Sequence, residues 1–167
     1  MLDNLKLYKV LTYILIPIAL FLGFIDTILL MVSLLNPANL LYVFILACFV
    51  IYIFVSFKFL RQGVQTEQPL KKSLKDWIKV NAIASIFLGS LFCLNGLSIL
   101  LSDNATLSKY IDEIITLQPG FPKEISAATI LNILKGISVA FLIIGTVGLL
   151  HIRITFRLLK KYGYLFE

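Results

Sequence analysis

Three kinds of side chain in this 167-residue chain could do chemistry inside an apolar environment: an acid, a base and a set of amides. Asp26 and Lys135 stand within long apolar runs, Asn132 lies one helical turn before Lys135, and Asn81 and Asn95 are fourteen residues apart in a third run. An ionisable group at depth in a bilayer costs about 2.5–3.5 kcal/mol even on the lenient insertion scale, so it is expected to face a bundle interior and to mark a partner or a pathway. The expected arrangement is an ion pair between Asp26 and Lys135. Leu35 closes the first apolar run nine residues after Asp26, and Ser126 opens the last one nine residues before Lys135. At ~1.5 Å per residue both groups then lie roughly 13 Å from helix ends on the same side. If the last span begins only at Gly136, Lys135 instead sits at the interface and Asp26 must find Asn95, Asn132, a tyrosine hydroxyl or water. The spacing of Asn81 and Asn95 is close to four helical turns, which puts both on one face, and amides buried in lipid read as hydrogen-bonding glue between helices.

Catalytic and metal chemistry would need convergent nucleophiles, bases or ligands at helical spacing, and the spans do not carry them. The single histidine, His151, is followed by Arg153 and reads as a polar residue at headgroup level. Cys48 and Cys93 both fall inside apolar runs and read as small packing residues. There is no glycine-rich phosphate loop and no pair of intramembrane carboxylates. The expectation is therefore a non-enzymatic protein with no metal and no cofactor.

The elements that must position these residues follow from composition. Hydrophobic residues make up 59% of the chain and charged residues 14%, against roughly 45–50% and 25% in soluble domains, so the chain is read as an integral membrane protein. The net charge of +6 does not indicate nucleic acid. Its cations cluster at the edges of apolar runs, where they anchor to lipid headgroups. The run following MLDNLKLYK is too long for a signal-peptide core, which predicts a retained first helix. Spans are predicted at about 10–35, 40–61, 78–101 and 126–150, each long enough for the ~20 helical residues that a ~30 Å hydrocarbon core requires. Pro17 should loosen the first of these, and Asn36-Pro37-Ala38-Asn39 should turn it into the second.

The stretch from Lys58 to Lys79 is the only long polar interruption in the first hundred residues, with Lys58, Arg61, Lys71, Lys72, Lys75 and Lys79 against Glu67 and Asp76. By the positive-inside bias it is cytoplasmic, which makes both termini cytoplasmic as well. In the third span Ala82, Ser85, Gly89, Cys93 and Gly96 recur every three or four residues, the signature of a seam where helices approach closely, with Gly89 as its expected centre. In the outer loop Leu107, Tyr110, Ile111 and Ile114 recur at helical spacing. This predicts an amphipathic surface helix over about 107–117, ended by Pro119-Gly120-Phe121-Pro122, with Pro122 placed to begin the last span.

The fold class is thus all-α: a single polytopic domain over 1–167, a four-transmembrane-helix bundle of two hairpins, expected in the bacterial inner (plasma) membrane. Its expected work is association with itself, with a larger membrane complex or with lipid; the alternative is a small transporter or channel component using Asp26 as a binding or coupling carboxylate. Expected partners are the lipid bilayer and a second copy or another membrane protein, and no nucleic acid. Topology reporters fused at Gln65 and at Gln118 should report opposite sides of the membrane. The same side for both would end this arrangement.

Overall fold

The computed structural model describes residues 2–117 and 126–166. Over these residues the chain is helical, without a β-strand: α1 Leu2–Ser33, α2 Leu40–Lys58, α3 Lys72–Leu101, α4 Asn104–Leu117 and α5 Ala127–Lys161. All but α4 are long and apolar enough to cross a membrane, over Leu5–Ser33, Pro37–Val64, Lys72–Leu101 and Ala127–Lys161. The protein is an integral, multi-pass, helical membrane protein. The Pro119-Gly120-Phe121-Pro122 stop lies outside the described residues.

The helices overrun the predicted spans for local reasons. No proline or glycine separates Leu2 from Val10, so α1 begins eight residues before its apolar run and takes in Lys6 and Lys9. Pro17 lies inside α1 without ending it. Asn36 stops the first hairpin: its backbone is extended (φ −138°, ψ 94°) and its side chain accepts the Ala38 N–H at 3.2 Å. With 35 residues, α5 is about 50 Å long at ~1.5 Å per residue, well beyond a ~30 Å core, and Arg153, Arg157 and Lys160 near its C-terminal end are exposed. Helix α4 starts three residues before the predicted 107 because Asp103 caps it. The Asp103 carboxylate accepts the Thr106 hydroxyl and the N–H groups of Ala105 and Thr106 at 2.8 and 2.9 Å. These bonds, the Thr106 hydroxyl first, hold its carboxyl below the ordinary aspartate range.

The chain forms two compact units. The first, Met1–Gly89 with Val147–Glu167, holds α1, α2, the start of α3 and the end of α5. Its second helix does not stop at Lys58 but widens into a π-turn over Phe59–Val64, closed by the Gln65 N–H on Leu60 O at 3.0 Å. Gly63 in that turn faces Leu70; a Cβ there would lie 2.7 Å from Leu70 Cδ1. The C-terminal residues return to the same place. The Leu70 N–H donates to Leu165 O at 2.7 Å, and Phe166 stacks on Phe59 with ring centroids 5.7 Å apart. Phe59, Leu60, Leu70, Leu74, Leu165 and Phe166 are all buried, giving the basic end a small apolar core of its own.

The second unit, Ser90–Thr146, holds the rest of α3, α4 and the start of α5. Here α3 and α5 meet backbone to backbone. A Cβ on Gly96 would lie 2.7 Å from the Ser138 carbonyl oxygen and 3.3 Å from the Leu142 Cβ. Phe92 and Phe141 stack at 4.6 Å, and Cys93 Sγ lies 3.8 Å from Thr146 Oγ1. On α4, Ile111 is the residue turned inward.

Because the obstacle at Gly96 is a main-chain carbonyl that cannot rotate away, Gly96→Ala should destabilise the protein by about 1–3 kcal/mol. Gly136, also on α5, has nothing within 4 Å of a built Cβ. Gly136→Ala should therefore be neutral or stabilising by up to about 1 kcal/mol. Unfolding of the two variants in detergent checks the contrast, and equal effects would place the seam elsewhere.

Candidate functional site: a histidine-centred polar core

Three helices of the first unit each bring two polar side chains one turn apart onto their inner faces: Tyr8 and Thr12 from α1, Tyr52 and Ser56 from α2, His151 and Thr155 from α5. Residues four apart in a helix lie one above the other, so each pair forms a short polar strip, and the three strips converge. All six residues are no more than 1% exposed. His151 is the centre. Its Nε2 lies 2.9 Å from Thr12 Oγ1, its Nδ1 lies 2.8 Å from the Tyr52 hydroxyl, and its ring stacks on Tyr8 at 4.7 Å with 17° between the planes. The Tyr52 hydroxyl also lies 2.8 Å from Thr155 Oγ1, and the Tyr8 hydroxyl donates to the Ser56 carbonyl at 3.4 Å.

Counting protons fixes the direction of most of these bonds. Thr12 donates its hydroxyl proton to Tyr8 O at 2.7 Å, so its oxygen accepts from His151 and the ring carries its proton on Nε2. In a neutral ring Nδ1 is then an acceptor, and Tyr52 donates to it. Thr155 can give its proton to the His151 carbonyl at 2.8 Å or to the Tyr52 oxygen. A second proton on the ring would reverse one chain only: Nδ1–H donates to Tyr52, Tyr52 to Thr155, and Thr155 to the His151 carbonyl. No heavy atom needs to move. Thr12, Tyr52, His151 and Thr155 are therefore satisfied in either charge state of the ring, although only the neutral one avoids burying a charge, while Ser56 Oγ is buried without a partner among the described residues.

His151 is thus enclosed by three helices, a setting that its neighbourhood in sequence does not show. Arg153 is exposed, but the helix turns His151 inward. A single histidine carries no metal-site signal; the legible sign was the four-residue spacing of polar residues in three spans.

Asp26 and Lys135 have surroundings other than the expected ion pair. Lys135 Nζ donates to Asn104 Oδ1, tying α5 to the first residue of α4. Lys135 lies inside α5, which begins at Ala127, so the bond joins the body of α5 to the start of α4. Asp26 continues the inward stripe of α1 through Leu15, Ala19, Leu22 and Ser33, and its Oδ1 is buried without a hydrogen-bond partner among the described residues. The amides also differ from interhelical glue. Asn81 donates to Trp77 O at 2.8 Å and Asn95 to Leu91 O at 2.9 Å, each within its own helix, and Asn132 is exposed. Of the small residues in α3, Ala82, Ser85, Gly89 and Gly96 are buried and Cys93 is half-buried. Among the described residues no group of three or more His, Cys, Asp or Glu is placed to hold a metal ion.

Tyr52→Phe strands His151 Nδ1 and leaves Thr155 Oγ1 with only the His151 carbonyl, and should cost about 1–2 kcal/mol of stability. Thr155→Val in the Tyr52→Phe background should cost less than it does alone, because the shared bond is already lost. A double-mutant cycle by denaturant unfolding in micelles measures this; strict additivity would mean that the hydroxyls do not act as one chain.

Comparison with protein-family models, with curated proteins and with solved structures finds no match for this chain.

Proposed function

We propose that this chain is a non-enzymatic membrane protein that works by association within the bilayer, with a second copy, a larger membrane complex or lipid, and that its termini and the Lys58 to Lys79 segment are cytoplasmic. Helical spans fit the bacterial inner (plasma) membrane, since outer-membrane proteins of the barrel type span with strands. The observation that carries the association reading is the sparse packing of the second unit. Its seam is built around small residues, Gly96 and Ser138, while the large apolar side chains Leu94, Leu97, Ile133, Ile137 and Ile143 are exposed. Lipid tails are as apolar as these side chains, so packing against further helices is what a surface of this kind gains from a partner. The enclosure of His151 by Tyr8, Thr12 and Tyr52 supports the non-enzymatic half of the reading, because the one imidazole meets protein on both ring nitrogens.

A second reading, a small transporter or channel component, is favoured by one observation: the inward, unpartnered Oδ1 of Asp26. Carboxylates at membrane depth without a fixed partner are what coupled transport uses. The readings separate experimentally. In native nanodiscs, association predicts a mass above the monomer, from a second copy or a stoichiometric protein partner. Vesicles loaded with pyranine and reconstituted with the purified chain should then show no proton flux above empty vesicles. A monomer without partner, with proton flux that Asp26→Asn abolishes, would replace the first reading by the second.

A further inference from the structure

Two grooves of the first unit meet at Trp77. The first, about 430 Å³, is lined at the basic end by Lys58 of α2, by Lys71 just before α3, and by Ser73, with Val55 and Leu74. The second, about 510 Å³, continues along the same pair of helices and is lined by Phe44, Ala47, Cys48, Ile51 and Val80. On α2 the lining positions 44, 47, 48, 51, 55 and 58 form one face at helical spacing. From Lys58 to Phe44 is fourteen residues, about 21 Å of helix, enough to run from headgroup level through the ~15 Å of one leaflet. Trp77 stands where the two parts join, at the boundary an indole prefers.

A cleft with cations at one end and hydrocarbon along the rest complements one kind of molecule, an amphiphile with an anionic head. Three polar groups bear on this. Asp76 and Asn81 also line the apolar part, but Asn81 already donates to Trp77 O, and Asp76, at the Trp77 level, opposes any anion that sits above the two lysines. Arg61 lines the neighbouring groove that shares Lys58, adding a third cation at the mouth. We propose that this cleft is a binding site for one anionic glycerophospholipid, its phosphodiester held by Lys58 and Lys71 and one acyl chain lying along Phe44, Ala47 and Ile51. The inference rests on membrane insertion with this end at a headgroup layer, and not on association with a protein.

Two cations at a headgroup are worth about tenfold or more in preference for an anionic lipid. Delipidated protein in micelles is titrated with phosphatidylglycerol and with phosphatidylcholine, and the bound lipid is counted by native mass spectrometry on the monomer, so the readout is indifferent to oligomeric state. The expected result is one phosphatidylglycerol retained at least tenfold more tightly than phosphatidylcholine. Lys58→Gln with Lys71→Gln should bring the two lipids within about twofold, and Lys58→Arg with Lys71→Arg should keep the preference, which controls for folding. Ala47→Phe should weaken both lipids by filling the apolar groove. Equal binding of the two lipids by the parent, or a preference that survives Lys→Gln at both positions, overturns the site. Glycerol phosphate competing as well as the intact lipid, or Ala47→Phe without effect, overturns the acyl-chain half and leaves a phosphate site.

Discussion

A polar group inside a bilayer has no water to turn to, and that constraint governs how α1, α2 and α5 meet in the first unit. Each of these helices carries hydroxyl, phenol or imidazole groups on its inner face, and the groups of one helix alone cannot satisfy them all. Thr12 spends its proton on a carbonyl of its own helix, which leaves its oxygen as an acceptor for a donor from another helix. His151 supplies that donor, and the single proton of Tyr52 serves His151 Nδ1 beside Thr155. A shift of α5 by a turn would break the bonds to both ring nitrogens, and a shift of α1 or α2 would break one of them, so the network sets register as well as proximity.

At the basic end a different force takes over. The π-turn over Phe59–Val64, at the end of its apolar stretch, meets the Pro69–Leu70 segment and the C-terminal Tyr162–Phe166, which lie outside the four stretches long and apolar enough to span. Where water is the alternative to packing, each fully buried Phe or Leu contributes about 1.5–3 kcal/mol. Phe59 against Phe166, and Leu70 against Gly63, are contacts of that kind. The main chain joins in through the Leu70 N–H on Leu165 O. The loop between α2 and α3 is thereby held on both sides, and the lysines at its edges, Lys58 and Lys71, line the groove that reaches Trp77.

The second unit shows the third way in which membrane helices are held. With neither a polar network nor water to drive burial, α3 and α5 gain by coming close enough for main-chain contact, which only Gly96 permits at its position. Lys135 of α5, bonded to Asn104, then ties the first residue of the amphipathic helix to that pair, and Asp103 caps its start.

Much was determined by the sequence alone. Four apolar runs separated by turn formers and cations can satisfy their backbones in lipid only as helices, so the all-helical, multi-pass architecture and the breaks at Asn36 and around Gly63 to Pro69 follow from hydropathy and from proline, asparagine and glycine placement. The amphipathic helix after Asp103 follows from a 3.6-residue period in a short polar segment. What tertiary structure decided is which polar groups face one another. Asp26 and Lys135 match in depth along their helices, but depth says nothing of rotation about the axis or of nearer partners, and Asn104 was the nearer partner of Lys135. His151 stands among arginines in sequence and among phenols and hydroxyls in space, because a residue two positions away on a helix points about 200° elsewhere. The C-terminal Leu165 and Phe166 have no period to read in so short a segment; their place was set by the apolar surface that the π-turn and Leu70 left to be covered.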